Sequence, residues 1–206
     1  MKKIYFVRHA ECESDIQHIL AGQYNYVLTP RGHQQAAKFA TSIPKDMRAL
    51  TSPLARATET ASPYRDSARG QLLEHNMDLR ERSWGLFDGK TRSSFTDAEK
   101  VLMKRLRDPL DDLQGSITSR ALEVEERSAV FNRMFAILKS LTTGQVENTV
   151  CFSHGHAIAT LVEGMTGLAV PLIGPCGYVI FTFSDYGECY GYEVFTNRGS
   201  SSGKVA

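Results

Sequence analysis

Lys3-Ile4-Tyr5-Phe6-Val7-Arg8-His9-Ala10-Glu11 is an apolar, β-rich run that stops at a guanidinium, an imidazole, a small residue and a carboxylate. Ile4 to Val7 are continuously apolar, not alternating, which marks a strand covered on both faces. Strands of that kind belong to α/β folds, where ligands bind beyond the carboxyl ends of the strands. Arg8-His9 at such an end reads as an anion site with a nucleophile or base beside it.

Two further strand-to-helix switches follow the same pattern. Met47 to Thr51 is a short strand, with Ser52-Pro53 as cap and first turn of a helix running to about Tyr64 and Arg56 near its start. Asn148 to Phe152 is a strong strand that leads at once into Ser153-His154-Gly155-His156 and a helix over Ala157 to Met165. If these strands are parallel, Arg8, His9, Arg56 and His154 meet at one edge. Thr29-Pro30 opens another helix, with Thr29 as N-cap and Pro30 in its first turn, ending near Pro44. Ala10 to Leu28 holds no clean period and reads as a long functional loop; Gly70 to Leu79 reads as extended.

Ser94 to Leu106 is helical in pattern, Pro109 ends it, and Asp111 to Ser119 is polar and loop-like. Ala121 to Leu141 is the longest helix candidate, with an apolar stripe through Val130, Met134, Ile137 and Leu141. Tyr178 to Phe183 and Tyr190 to Phe195 form a hairpin through Asp185-Tyr186-Gly187. The pattern predicts a three-layer α/β/α domain with a mostly parallel mixed sheet. Residues 1–197 form that single domain, with 92–119 a small cap insertion, and the Gly/Ser-rich 198–206 is a flexible tail.

The bulk numbers narrow the function. The 206 residues suffice for one well-buried domain, and 42% apolar with 23% charged residues is ordinary for a globular protein. A net charge of +1 disfavours nucleic acid as partner, so an anionic substrate must be drawn by a local cluster. Cys12, Cys151, Cys176 and Cys189 lack a paired metal-ligand spacing and fit a reduced, cytoplasmic protein. His18, His33 and His75 are scattered, so neither a metal nor another cofactor is expected. Only four apolar residues follow Met1-Lys2-Lys3 before Arg8, too few for a signal sequence. Ala157 to Gly174 is interrupted by Glu163, Gly164, Gly167 and Pro171, which argues against a membrane span, and no membrane partner is expected.

Phosphoryl transfer to an imidazole needs a neutral His held in one tautomer. It needs fixed donors for the phosphoryl oxygens, for which the planar fork of Arg is suited, and a proton donor for the leaving oxygen. Arg8, His9, Arg56, Glu81 and His154 supply these roles. Their settings are specific. Arg8-His9-Ala10-Glu11 resembles the R-H-G-E signature of the histidine phosphatase superfamily, in its phosphoglycerate mutase-like branch (branch 1). Leu28-Thr29-Pro30-Arg31-Gly32 resembles that family's L-T-x-x-G segment. Ser52 to Ala61 resembles S-P-x-x-R-A-x-x-T-A, Leu79-Arg80-Glu81 with Gly85 its acid loop, and Ser153-His154-Gly155 its second histidine. The ordered set spans residues 4 to 165.

The resemblance implies the mutase-like fold and a metal-independent phosphomonoesterase acting on a phosphorylated small molecule or a phosphoprotein. His9 would become phosphohistidine, Arg8, Arg56 and His154 would hold the phosphoryl oxygens, and Glu81 would protonate the leaving group and then activate water. Asp15, Ala21, Gly22, Arg82, Trp84, Gly155 and His156 are implied substrate contacts, although Trp84 is equally read as a packed aromatic and His156 as a helix cap. Lys104, Arg105 and Arg107 could meet a second anionic group, or simply form a solvated helix face. Ala10 replaces the family's glycine, and Asp15 stands where an asparagine is common. A carboxylate there must be turned away, protonated or paired. The Gly115-Ser116-Ile117 stretch is a poor match to the phosphatase members' segment before the long helix. Length favours phosphatase over phosphoglycerate mutase, the alternative; a non-catalytic phospho-ligand binder is the second alternative. A homodimer through the edge of the final hairpin is also expected.

Overall fold

The computed structural model of the chain describes residues 1–68, 72–107, 122–143, 148–170, 173–196 and 199–203. β1 (Lys2–Arg8) is central because its residues bury in both directions. Ile4 and Phe6 face one layer, Tyr5 and Val7 the other. The remaining strands are β2 (Arg48–Thr51), β3 (Leu73–His75), β4 (Thr149–Ser153), β5 (Tyr178–Phe183), β6 (Cys189–Thr196) and β7 (Gly199–Gly203). They form one sheet in the order β3-β2-β4-β1-β5-β6-β7. β3, β2, β4 and β1 are parallel, and β5 to β7 extend the sheet antiparallel.

The layers follow from the strand faces. Helices α2 (Pro30–Ser42) and α3 (Ala55–Ser67) cover Tyr5 and Val7 with Phe39, Ala40, Ala61 and Tyr64. On the other side, α5 (Arg127–Thr142) and α6 (Gly155–Thr166) cover Ile4 and Phe6 with Val130, Met134, Ile158 and Leu161. Short α1 (Glu13–Ile16) follows β1, and α4 (Asp97–Arg107) packs Met103 and Leu106 with Trp84, Phe87 and Phe95 into a separate small core. That cluster is the described part of the expected cap. Its remainder from residue 108, including the polar 111–119 stretch and Gly115-Ser116-Ile117, lies outside the described residues.

The α/β expectation with a mostly parallel mixed sheet is met; several local expectations are corrected. Gly199–Gly203 of the expected flexible tail is a strand paired to β6, so polar backbone there is satisfied by a ladder although the side chains are small. Residues 204–206 lie outside the described residues. Because β7 takes the outer edge of β6, the hairpin edge suggested for dimer pairing is already used within the chain. The helix after β2 begins at Ala55, with the extended Leu54 at its N-cap in place of Ser52. The helix expected over 121–141 starts only at Arg127. Among the described residues no helix is long and apolar enough to cross a membrane. The four cysteines are free, with Cys12 and Cys151 buried.

The loop after β1 is fastened to α2. The Thr29 Oγ1 accepts from the Gly32 N–H at 2.9 Å, as an N-cap should, and donates to Glu11 Oε1 at 2.8 Å. The Thr29 N–H donates to the Glu11 carbonyl. Glu11 is thus a brace for α2, not a reacting group. α2 approaches so closely that a Cβ on Gly32 would stand 2.0 Å from the Glu11 carbonyl oxygen. Gly32→Ala should therefore cost about 1–3 kcal/mol, as overpacking does, read as a lower urea midpoint. An unchanged midpoint would mean that the Glu11 segment yields freely.

Candidate active site

The parallel register sets Arg8 opposite Ser153, so the residues that follow each strand, His9 and His154, lie side by side. Their ring centroids are 5.2 Å apart and both side chains are buried. The His9 Nδ1 is 2.7 Å from the Ala10 carbonyl oxygen. A carbonyl only accepts, so Nδ1 carries the proton and Nε2 keeps its lone pair. Burial, then the Arg56 and Arg8 charges, lower the His9 pKa to about 3, while Asp15 and the Ala10 carbonyl pull the other way. His9 is therefore a neutral imidazole with a fixed tautomer.

Around it stand two arginines whose outer nitrogens are already engaged. Arg8 donates to the Ile173 carbonyl (2.7 Å) and to Asp15 Oδ1 (2.8 Å). Arg56, in the first turn of α3, donates to the carbonyls of Tyr24 (2.8 Å) and Gly22 (2.7 Å). The Nε of each is buried and without an acceptor among the described residues. Those contacts orient both guanidiniums while leaving donor capacity for an anion. Gly22 serves with its carbonyl and its φ of +46°, and a Cβ there would overlap the Asp88 carboxylate.

His154 is held from behind. Its Nε2 lies 2.9 Å from Ser52 Oγ, which accepts from the Leu54 N–H and so has its own hydroxyl proton to give. If Ser52 donates that proton to Nε2, the imidazole proton sits on Nδ1, which is buried with no partner among the described residues. Burial, then Arg56 and His9, lower its pKa well below the usual range. His154 is a neutral imidazole, not a cation.

Glu81 follows a single 3-10 turn (Met77–Leu79) and is buried at the N-terminus of α6. It accepts the Ala157 N–H (3.0 Å), the His156 N–H (3.3 Å) and the Arg82 N–H (2.9 Å). Burial alone would raise its pKa, but the His156 side chain, 3.7 Å away, and the backbone donors hold it well below the carboxylate range. His154 also contributes only when charged, and at neutral pH it is not. Behind the loop, Arg133 of α5 donates to the carbonyls of Asp78, Arg80 and Glu81 and pairs with Glu125 at 2.7 Å. No spacing in the sequence links Arg133 to the acid loop.

These groups surround a cavity of about 560 Å³. Arg8, His9, Asp15, Ala21, Gly22, Arg56, Glu81, Trp84, Gly155 and His156 all line it. His154 sits behind the lining. Arg82 departs from expectation: it points away, donating to the carbonyls of Glu125 (2.8 Å) and Leu106 (2.7 Å) and packing 4.5 Å over the Trp84 ring. It builds the cap instead of touching the cavity. His156 both lines the cavity and, through its backbone, begins α6 on Glu81. Arg92 and Arg107 line the cavity as well, whereas Lys104 and Arg105 are exposed. Periodicity assigns Arg107 to a solvated face, because only the packing of α4 shows which way its end turns.

The two departures from the family pattern resolve. Ala10 has no positive φ, and its methyl packs with Cys12, Leu28 and Ala36. Asp15 is paired: Oδ1 meets Arg8, and Oδ2 accepts the Cys12 N–H at 3.0 Å in a capping box for α1. Burial pushes its pKa up, but those partners bring it below the usual value.

Comparison with known proteins defines the class. The family model for histidine phosphatase superfamily (branch 1) matches residues 4–188, and the chain belongs to that family. Among similar proteins, one from Hydrogenobacter thermophilus named "Putative phosphoserine phosphatase 2" is 31% identical, covering 80% of each chain. An Escherichia coli O1:K1 protein named "Probable phosphoglycerate mutase GpmB" is 27% identical over 82% of this chain and 76% of its own. A mycobacterial glucosyl-3-phosphoglycerate phosphatase, solved with VO3, shares the fold at a TM-score of 0.75 and 20% identity, covering 88% of this chain and 93% of that one.

The buried histidines make stability fall in acid. Unfolded histidines take up protons below about pH 6.5, whereas His9 in the native state resists down to about 3. Its contribution is therefore full above pH 6.5 and is lost progressively as pH falls; His154 acts in the same direction. Between pH 7 and 5, before carboxylates titrate in the unfolded chain, His9 alone should cost about 2 kcal/mol. Urea midpoints should drop over that range, and less steeply in His154→Asn. A parallel pH dependence in wild type and variant would contradict the assignment.

Proposed function

We propose that this protein is a metal-independent phosphomonoesterase that hydrolyses a phosphorylated small molecule through a phosphohistidine on His9. The observation that carries the reading is the fixed tautomer of His9, neutral and with Nε2 unprotonated, beside buried Arg8 and Arg56 donors. A cavity of some 560 Å³ is of small-molecule size.

In the first step Nε2 attacks phosphorus, the ester P–O bond breaks, and Glu81 gives its proton to the departing oxygen. The Ala10 carbonyl stabilises the positive charge that the ring gains. The free Nε–H groups of Arg8 and Arg56 and the His154 Nδ1–H meet the phosphoryl oxygens, where charge builds. In the second step the Glu81 carboxylate takes a proton from water, the oxygen attacks phosphorus, the P–N bond breaks and inorganic phosphate leaves. Asp15 moderates the site by using one donor of Arg8. The phosphatase reading is favoured over a mutase by the length of the chain, 206 residues, and by the small apolar cluster that α4 makes among the described residues.

Glu81 is ionised in the free protein, so the proton for the leaving group arrives with the substrate monoanion. A phosphomonoester loses that proton near pH 6. kcat/KM for an aryl phosphate should therefore fall about tenfold per unit above roughly pH 6.5, with no acid limb from His9 above about pH 4. A flat profile to pH 8 would mean that Glu81 holds its own proton.

Rapid mixing with an aryl phosphate in EDTA should yield released alcohol and an acid-labile phosphoprotein, both lost in folded His9→Ala. Unchanged turnover in that variant would overturn the nucleophile. With 3-phosphoglycerate the product should be phosphate, not 2-phosphoglycerate. Arg133→Met should lower kcat about tenfold or more with little change in KM, because it loosens the Glu81 loop without touching substrate.

A further inference from the structure

The segment from Leu20 to Asn25 ties two parts of the site together. On one side it holds α3. The Gly22 and Tyr24 carbonyls orient the Arg56 guanidinium, and Asn25 Oδ1 accepts the Ala55 N–H at 3.0 Å. On the other side it lies against the loop that follows Glu81. The Gly89 N–H donates to the Leu20 carbonyl and the Leu20 N–H to the Lys90 carbonyl. The Gln23 side-chain amide donates to the Glu81 carbonyl at 3.1 Å.

Asp88 stands where the two meet. Its Oδ1 accepts the Trp84 N–H at 3.0 Å, and its Oδ2 accepts the Ser83 hydroxyl at 3.2 Å and the Gln23 N–H at 3.5 Å. Ser83 and Trp84 belong to the acid loop, Gln23 to the segment that holds Arg56. A Cβ on Gly22 would stand 1.6 Å from Asp88 Oδ1, so the carboxylate rests against the residue whose carbonyl holds Arg56. Asp88 is half-buried, is not among the residues lining the cavity, and has no ion-pair partner among the described residues. Burial raises its pKa against the pull of its three donors. Both of its oxygens join one loop to the other, and neither neutralises a cation.

We propose that Asp88 is a positioning residue for phosphoryl transfer, fixing the spacing between the Arg56 guanidinium and the Glu81 carboxylate. Arg56 meets the phosphoryl oxygens; Glu81 serves the leaving oxygen and then the attacking water. Both must keep their places as charge moves between those atoms, and a displacement of about 1 Å can cost such a site roughly 100-fold. Arg8 is outside the clamp, because the Ile173 carbonyl and Asp15 hold it. Since the role is one in phosphoryl transfer, it rests on the phosphatase reading.

The test is a double-variant cycle read by kcat, KM and the affinity for orthovanadate, an anion that adopts the five-coordinate geometry of phosphorus in transfer. Folded Asp88→Asn, which keeps the size and one acceptor, should lose about tenfold or more in kcat for an aryl phosphate, with KM within about threefold. Its affinity for orthovanadate should fall with kcat, while that for inorganic phosphate stays. The loss should nearly vanish when Arg56→Lys is already in place and should multiply with Arg8→Lys, because only Arg56 shares the clamp. Gln23→Ala removes the tie to the Glu81 carbonyl; it should behave as Asp88→Asn does, and it stands in if that variant fails to fold. A kcat loss below about threefold in the folded variants, equal losses of orthovanadate and phosphate affinity, or multiplication with Arg56→Lys would each overturn the role. If wild type turns over no phosphomonoester, the phosphatase reading fails by itself. The orthovanadate cycle, which needs no turnover, then decides the clamp, and a wild type that binds no orthovanadate sinks both.

Discussion

The parallel pairing of β1 with β4, in the register that sets Arg8 against Ser153, is the constraint on which the site depends. Each strand ends with a histidine next in sequence, and adjacent parallel strands deliver consecutive termini to the same edge. A one-residue slip would turn Phe6 and Val7 to the wrong layers as well as separate the imidazoles. Apolar burial on both faces of β1 therefore fixes the chemistry at its end.

From that edge outward, the structure works by satisfying backbone groups with the same side chains that make the site. Arg56 closes the loop through the Gly22 and Tyr24 carbonyls, and Glu81 caps the first turn of α6. Arg133 gathers three carbonyls of the acid loop. The candidate site residues are thus also structural ones, which holds them in place without a ligand. The cost is visible in the histidines. Burial beside arginines lowers their affinity for protons, so the native state carries two imidazoles that mild acid protonates only on unfolding.

The cap is organised differently. Arg82 and Arg107 both pack on Trp84, but Arg82 is spent on the carbonyls of Leu106 and Glu125, whereas the Arg107 Nε has no acceptor among the described residues. Two positions of one basic, aromatic environment thus divide into scaffold and open donor. Through Arg107 the cap cluster adds charge to the cavity.

The sequence by itself determined the strands that bury on both faces, the Thr29 cap and the order of the β/α switches, and it singled out Arg8, His9, Arg56, Glu81 and His154, which the structure brings together. Those are local matters of period, capping and residue chemistry, and they are written in short runs. Only the tertiary structure decided that Asp15 pairs with Arg8, that Glu11 braces α2 and that Gly199–Gly203 joins the sheet. It alone turned Arg82 into the cap, Arg107 toward the cavity and Arg133 behind Glu81. Each of these depends on a partner distant in the chain, or on which face of a helix or loop meets its neighbour. A side chain's direction there is set by packing, and no local pattern encodes it.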